Sequence, residues 1–372
     1  MSVSCQLLMS TVEKVAPKQL AEDWDNVGLL IGDSAGQVSK VLVTLDCTPA
    51  VVDEALEQKA DLILAHHPLI FSPLKQVRFD LPGQKQVARL IGKNMMFYAA
   101  HTNLDSSSLG ASALMAESLG VREQEFLSSG YKEQLYKVTT FVPEAYASAV
   151  RLEMSKAGAG GIGNYNECFF QTAGTGTFRP LDRANPFIGQ VGKLEEVAEV
   201  RLESVVPAKN LDRVVRAMLK AHPYEVPAYD VIPTLNSGSE FGIGRIGYLP
   251  QEQTLGQLVE KVKSMLGGCS VRVAGSLRQK IKKAAVSSGS GGSLVKKAAF
   301  KGAGVFIAGD ISHHDALDAL EAGMAIIDPG HYATEWLMME NLQTYLQQQM
   351  QREKRDVEIV LSNVKTEPFA FM

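Results

Sequence analysis

Short apolar runs separated by helix-length stretches constrain this chain more than any other feature. Asp61–Ala65 (DLILA), Met95–Ala100 (MMFYAA), Gly304–Asp310 (GVFIAGD) and Met324–Asp328 (MAIID) are nearly devoid of polar residues, the pattern of strands buried on both faces. Lys40–Asp46 (KVLVTLD) runs into a helix opening at Thr48–Pro49, where a hydroxyl caps and proline sits in the first turn. A second helix is predicted over Gln84–Gly92, between DLILA and MMFYAA. Strand–helix–strand wiring of this kind needs crossovers, so a parallel or largely parallel sheet is expected. An amphipathic helix from about Gln6 to Leu20, ended near Pro17, precedes these elements. The strand Lys280–Ser288, a long helix from about Tyr332 and a last strand (VEIVLS, 357–362) complete them.

Near Gly130 the style changes. From there to about Tyr248 the order reads strand (Tyr136–Val142), helix (Glu144–Ala157), strand (Glu167–Thr177), strand (Val197–Val206), helix (Leu211–Ala221), strand (Pro227–Ile232). That βαββαβ order is the ferredoxin-like plan. The expected architecture is therefore a layered α/β domain made of residues 1–129 and 249–372, interrupted by an α+β insert at 130–248.

Composition removes several function classes. A net charge of -4 and the absence of a long Lys/Arg run argue against a protein built to hold nucleic acid or an anionic membrane. The Lys282–Lys283 and Lys296–Lys297 pairs read as solvated faces of a strand and a helix. No apolar run approaches the roughly 20 residues of a membrane span. Cys5, Cys47, Cys168 and Cys269 lie far apart with no C-x-x-C pair, which suits a reducing compartment. A soluble, cytoplasmic protein is expected.

Ligands of open α/β sheets bind beyond the carboxyl ends of strands. DLILA is followed at once by His66-His67-Pro68, MMFYAA by HTNLD with His101 and Asp105, and MAIID by PGHYATE with His331 and Glu335. Neighbouring residues of a regular strand face opposite ways, so His66 and His67 share a site only if the strand has ended, and Pro68 favours that. His331 and Glu335 stand four apart at a helix start and share a face, with Gly330 free to turn the backbone. Three imidazoles and two carboxylates exceed one tetrahedral zinc with an open position, and fit two metals roughly 3.5–4 Å apart. Without thiolate the set suits Fe, Mn, Zn, Co or Ni alike. The alternative is one 2-His-1-carboxylate metal with the other residues around it. His101 is as readily a turn cap.

Other residues at this edge have plainer readings. His314 is a second-sphere or substrate contact or a packed histidine, and His313 is structural. Asp46 could hold a ligand imidazole or cap a helix; Trp24, Asp25 and Asn26 read as a turn lining the site. The Gly/Ser stretch Ser287–Ser293 joins a strand to a helix and is a weak anion-site candidate. His222 and Glu225 read as parts of a turn.

HHPLIF (His66–Phe71), HTNLD (His101–Asp105), WDNVGL (Trp24–Leu29) and DPGHYATE (Asp328–Glu335) resemble the Nif-three-like dinuclear metal centre family, whose members often carry the label GTP cyclohydrolase I type 2 homolog. The resemblance implies metal ligands at His66, His67, Asp105, His331 and Glu335, with Glu335 as the bridge. Asn164–Pro180, Asn185–Pro207 and Ala221–Val231 resemble the PII-like, CutA-like domain inserted in longer bacterial members. A homohexamer is implied in the same way. The expected function is metal-dependent hydrolysis of a nucleotide or phosphorylated small molecule, with two divalent ions lowering the pKa of a bridging water to give a hydroxide nucleophile. The alternatives are a non-catalytic metal-handling or metallochaperone protein, and a regulatory insert that binds a small ligand.

Overall fold

The computed structural model describes residues 2–370. The chain divides into two compact units, Met1–Tyr131 with Phe241–Met372, and Lys132–Glu240.

In the first unit the βαβ wiring resolves into two sheets with parallel centres and antiparallel edges. One sheet orders Glu358–Leu361, Lys40–Thr44, Leu62–Ala65, Met96–Ala99 and Gly28–Ile31. Its first four strands are parallel, and Gly28–Ile31 closes the edge antiparallel. In the other sheet Lys280–Ser290, Val305–Gly309 and Ala325–Asp328 run parallel, flanked by antiparallel Arg272–Ala274 and by residues 245–254. Every residue of Leu62–Ala65, Met96–Ala99 and Ala325–Asp328 is buried, as uninterrupted apolar strands require.

Helices supply the cover. Pro49–Glu57 is capped by Thr48 and packs Val51, Val52 and Ala55 on Leu42, Ile63 and Phe97, beside Val87 and Leu90 of helix Pro82–Gly92. The 22-residue helix His331–Arg352 buries Met338, Met339, Leu342 and Leu346 against Val41, Val43, Leu62 and Leu64 of the first sheet. Its Leu337 packs against the cluster holding Val286, Ile307 and Ile327 of the second sheet, so this helix lies between the two. The first helix, Cys5–Val15, is shorter than its pattern predicts; Pro17 stops it and Lys18–Leu20 forms a separate 3₁₀ turn. Helices Ala111–Ser118 and Leu255–Met265 are additions that the sequence reading lacks.

The second unit has the order strand, helix (Ala147–Lys156), strand (Phe169–Phe178), strand (Glu195–Pro207), helix (Leu211–Ala221), strand. Across its sheet the last strand lies beside the first, then the third, then the second. The first–third and second–third pairs are antiparallel. Val138, Val142 and Leu202 form a core with Val150, Met154, Val214 and Met218 of the two helices. The strands leading in and out, Arg122–Pro143 and Tyr229–Thr254, are far longer than expected. Among the described residues no helix is long and apolar enough to cross a membrane.

Candidate metal centre

The carboxyl ends of the parallel strands in both sheets of the first unit carry the site. Strand Leu62–Ala65 delivers His66 and His67. Their consecutive amides donate to Thr44 O and Leu45 O of the neighbouring segment at 3.1 and 3.0 Å. Alternation has therefore ended, and both rings fall on one side with centroids 4.8 Å apart. Strand Met96–Ala99 delivers His101 and, through the short helix Thr102–Asp105, Asp105. Buried Asn103 ties that turn down, accepting from His101 N at 3.0 Å and donating to Ala16 O at 2.7 Å. From the second sheet, Ala325–Asp328 leads through Gly330 (φ +87°, ψ 159°) into the helix bearing His331 and Glu335. Asp328 fixes this turn by accepting from Gly330 N and Ile311 N, and it pairs with Arg272.

All five sequence-predicted ligand positions converge, and His101 joins them. Within three groups, His66–Asp105–Glu335, His67–His331–Glu335 and His66–His67–His101, potential ligand atoms lie within 4.8 Å of one another. His66 Nε2 stands 3.7 Å from both Asp105 Oδ2 and Glu335 Oε1. Glu335 Oε2 stands 3.3 Å from His67 Nε2 and 2.9 Å from His331 Nε2. His66, Asp105 and Glu335 are buried, whereas His67 and His331 open on a cavity of about 740 Å³ that Arg272, Asp310 and Tyr332 also line.

The hydrogen bonds on the far side of each ring decide what the near side can do. Nδ1 of His66 faces Ala100 O at 2.8 Å, that of His67 faces Asp46 at 2.8 Å, that of His101 faces Asp25 at 2.8 Å and that of His331 faces Asp310 at 2.7 Å. Each partner is an acceptor, so each Nδ1 carries a proton, and each ring when neutral presents a lone pair at Nε2. With the rings neutral, four such lone pairs and two carboxylates face one another with no donor among them. His67 Nε2 and His331 Nε2 lie 3.4 Å apart. His66 Nε2 and Glu335 Oε2 are buried without any hydrogen-bond partner. Buried acceptors left unpaired are costly, and a divalent cation resolves the conflict that the protein's own groups leave open. The donor set fits metal ions.

The electrostatics agree. Burial disfavours the His67 imidazolium, yet the carboxylates of Asp46 and Glu335 beside it outweigh burial and push the pKa up to about 10. His331, likewise opposed by burial, is lifted to about 9 by Glu335 and Asp310. Without metal, protons are drawn into the place a cation would take. Burial raises the Asp105 carboxyl, while Glu335, despite its burial, is held well below the usual carboxylate range by the surrounding histidines.

Sequence reasoning missed His101 as a member of the cluster, and Asp25 and Asp310 as ring holders. The signal for His101 was its place at a strand end, the same place that singled out His66. Asp46 does hold the His67 ring. Asp310 sits in the left-handed region (φ +51°), which aspartate tolerates better than most residues and which sets its carboxylate on His331. His314 is exposed in the first turn of helix His313–Glu321, its ring against His313, and belongs to none of the three groups. Three amides of the Gly/Ser stretch are already taken. The amides of Ser288, Gly289 and Gly291 already donate to Ser112 Oγ, Thr334 Oγ1 and Gly309 O. It serves the cluster instead: Ser288 Oγ donates to Asp105 at 3.1 Å, and a Cβ on Gly289 would stand 2.1 Å from Glu335 Oε1.

The model of the family described as Duf34/NIF3 (NGG1p interacting factor 3) matches residues 3–368. A Halalkalibacterium halodurans protein named GTP cyclohydrolase 1 type 2 homolog is 43% identical over 367 residues, covering 99% of this chain and 98% of its own. A Bacillus subtilis protein of the same name is 42% identical over 371 residues, covering 100% and 99%. Among solved structures, a Bacillus cereus protein related to NIF3 superposes with a TM-score of 0.92 at 43% identity, covering 100% of this chain and 99% of that one. With a whole-length family match and relatives at this identity, the chain belongs to the DUF34/NIF3 family.

Proposed function

We propose that the cluster holds two divalent metal ions and that the chain uses them to hydrolyse a nucleotide or another phosphorylated small molecule. The convergence of four imidazole lone pairs and two carboxylates, with no donor among them, carries this reading. Glu335 is the natural bridge, because Oε1 faces His66 beside Asp105 while Oε2 faces His67 and His331. His66 and Asp105 would hold one ion, and His67 and His331 the other, with Glu335 serving both. When bound, such a pair supplies Lewis acidity and a water of lowered pKa.

The chain's own residues do the rest. Asp46, Asp310 and Asp25 hold the rings of His67, His331 and His101 in one tautomer. The cavity over His67 and His331 would admit a small substrate beside the ions. The name carried by the relatives, GTP cyclohydrolase 1 type 2 homolog, is consistent with a nucleotide as substrate. We read the unit Lys132–Glu240 as a ferredoxin-like, PII-like insert, on its βαββαβ order and its strand sequence of last, first, third, second. We take a homohexamer as the working assembly.

Elemental analysis of protein purified without added metal, beside an Asp105→Ala, Glu335→Ala variant, tests the centre. About two ions per chain in the wild type, lost in the variant, are expected. A wild type that holds none, and takes up no Fe, Mn, Zn, Co or Ni on titration, refutes it. Phosphate release from nucleoside triphosphates and aryl phosphates by each reconstituted form then tests the hydrolase. A second reading, a metal-handling protein, draws on the half-open position of His67 and His331, which gives an ion a path out without unfolding. Rapid ion exchange with no turnover on any of these substrates would favour it.

A further inference from the structure

The second unit contains a cavity of its own that none of the readings above uses. It measures about 490 Å³, a size suited to a small organic ligand. Three segments meet there: Thr175–Phe178 at a strand end with Arg179 and Pro180 just beyond it, Pro186–Ile188 in the following loop, and Tyr224–Val226 after the second helix. Phe178, Phe187 and Tyr224 make an aromatic wall, with ring centroids 5.7 Å apart for Phe178–Tyr224 and 6.4 Å for Phe187–Tyr224.

Behind the rings lies Glu199, 8% exposed. Its Oε1 accepts from the Tyr224 hydroxyl at 2.7 Å, and among the described residues no protein donor reaches Oε2. None of the ion pairs of the described residues supplies Glu199 with a cation. The adjacent His222 cannot serve, since its Nε2 faces Phe141 O at 2.9 Å and its Nδ1 accepts from Tyr224 N, which fixes the ring neutral. Gly176 leaves the carboxylate its place: a Cβ there would stand 2.1 Å from Oε2. The other charged side chains on the wall are Glu225, whose Oε2 accepts from Asn185 N, and Arg179, whose guanidinium donates to Gly192 O. The lining thus carries one net negative charge. A buried carboxylate without a counter-charge is costly, and aromatic faces attract cations through their quadrupole.

We propose that this cavity is a binding site for a small organic cation, an ammonium or amidinium on an apolar body, with Glu199 as counter-ion and Phe178, Phe187 and Tyr224 as the cage. Isothermal titration of the full-length, metal-loaded protein with benzylamine, benzyltrimethylammonium, benzyl alcohol and benzoate tests it. The two cations are expected to bind, the alcohol about tenfold or more weakly, and benzoate not at all. Glu199→Gln, which keeps the shape, is expected to weaken the cations about tenfold or more while metal content stays unchanged and the thermal midpoint does not fall. Tyr224→Phe keeps the ring and frees Oε1, so binding should persist. Equal binding of benzoate, indifference to Glu199→Gln, or no cation bound at millimolar concentration would overturn the proposal. So would a change in subunit number for Phe187→Ala with no amine bound, which makes the cavity a contact between chains.

Discussion

Replacing Gly289 by alanine tests the geometry of the metal centre most directly, because this one methyl meets a proposed bridging ligand. Two costs combine. The backbone at Gly289 is left-handed (φ +56°), where a Cβ costs about 1 kcal/mol. The new Cβ also lands 2.1 Å from Glu335 Oε1, and Glu335 is buried among histidines with nowhere open to retreat. Overpacking of this kind costs about 1–3 kcal/mol, so the total is about 2–4 kcal/mol. Gly302 provides the control within the same unit: its φ is +77° and nothing lies within 4 Å of its would-be Cβ, so Gly302→Ala carries only the backbone cost of about 1 kcal/mol. Either loss leaves a domain of ordinary stability folded. The metal readout is sharper. Relieving the clash moves the carboxylate oxygen by about 1 Å, whereas metal–ligand distances tolerate about 0.2 Å. Urea unfolding of chelator-stripped protein, with elemental analysis of the same variants as purified, measures both. Gly289→Ala is expected to unfold earlier than Gly302→Ala and to lose metal, while Gly302→Ala retains it. If the two variants match in both assays, the packing of Gly289 against Glu335 plays no part in holding the site.

Two further outcomes follow from the groups that hold rings in place. Asp46→Asn removes the charge that keeps the His67 Nδ1 proton in position, and metal affinity, read by competition with a chelator, should fall about 10–100-fold; an unchanged affinity would free His67 from its assigned tautomer. His222 is buried neutral, so burial holds its pKa below the ordinary 6.5 despite its bond to Phe141 O. Below pH 6.5 the unfolded chain takes up a proton that the folded form resists, so this stability is full above 6.5 and declines as pH falls toward the lowered folded value. Urea midpoints at neutral and mildly acid pH should therefore drop less in His222→Gln than in wild type, and parallel drops would show that His222 is not linked to folding.

Much of the site was legible because its ligands follow strands too apolar to be anything else. DLILA, MMFYAA and MAIID announce strands buried on both faces, and residues just beyond such strands face a shared edge. Helix Leu211–Ala221 was equally readable, since its apolar positions recur at helical spacing. The division of the strands into two sheets was not readable. Pairing depends on which face of helix His331–Arg352 meets which strands, and that helix is apolar on more than one side. Asp25 escaped because its role is non-local: it lies 76 positions from the His101 ring it holds. The lengths of Arg122–Pro143 and Tyr229–Thr254 were not readable, because Gly130, Gly238, Gly242 and Gly244, residues that weaken a strand, lie within them.

The two-sheet arrangement gives the metal centre a second consequence. His66, His67, His101 and Asp105 descend from one sheet, while His331 and Glu335 enter from the other. Any cation shared between His66 and Glu335, or between His67 and His331, is therefore a tie between sheets as well as a reagent. The unfolded chain scatters these residues over 270 positions and offers no preformed site, so binding energy at the cluster is folding energy. Without a cation the six groups crowd together, and the protonation that relieves them puts positive charge on His67 and His331 at neutral pH. That charge sits on the half-exposed side of the site, whereas His66 and Glu335 stay fully enclosed. Yet Asp105 and Glu335 raise the pKa of the His66 imidazole too, against its complete burial, so both halves of the cluster draw positive charge, and the outer half is the one that opens to solvent.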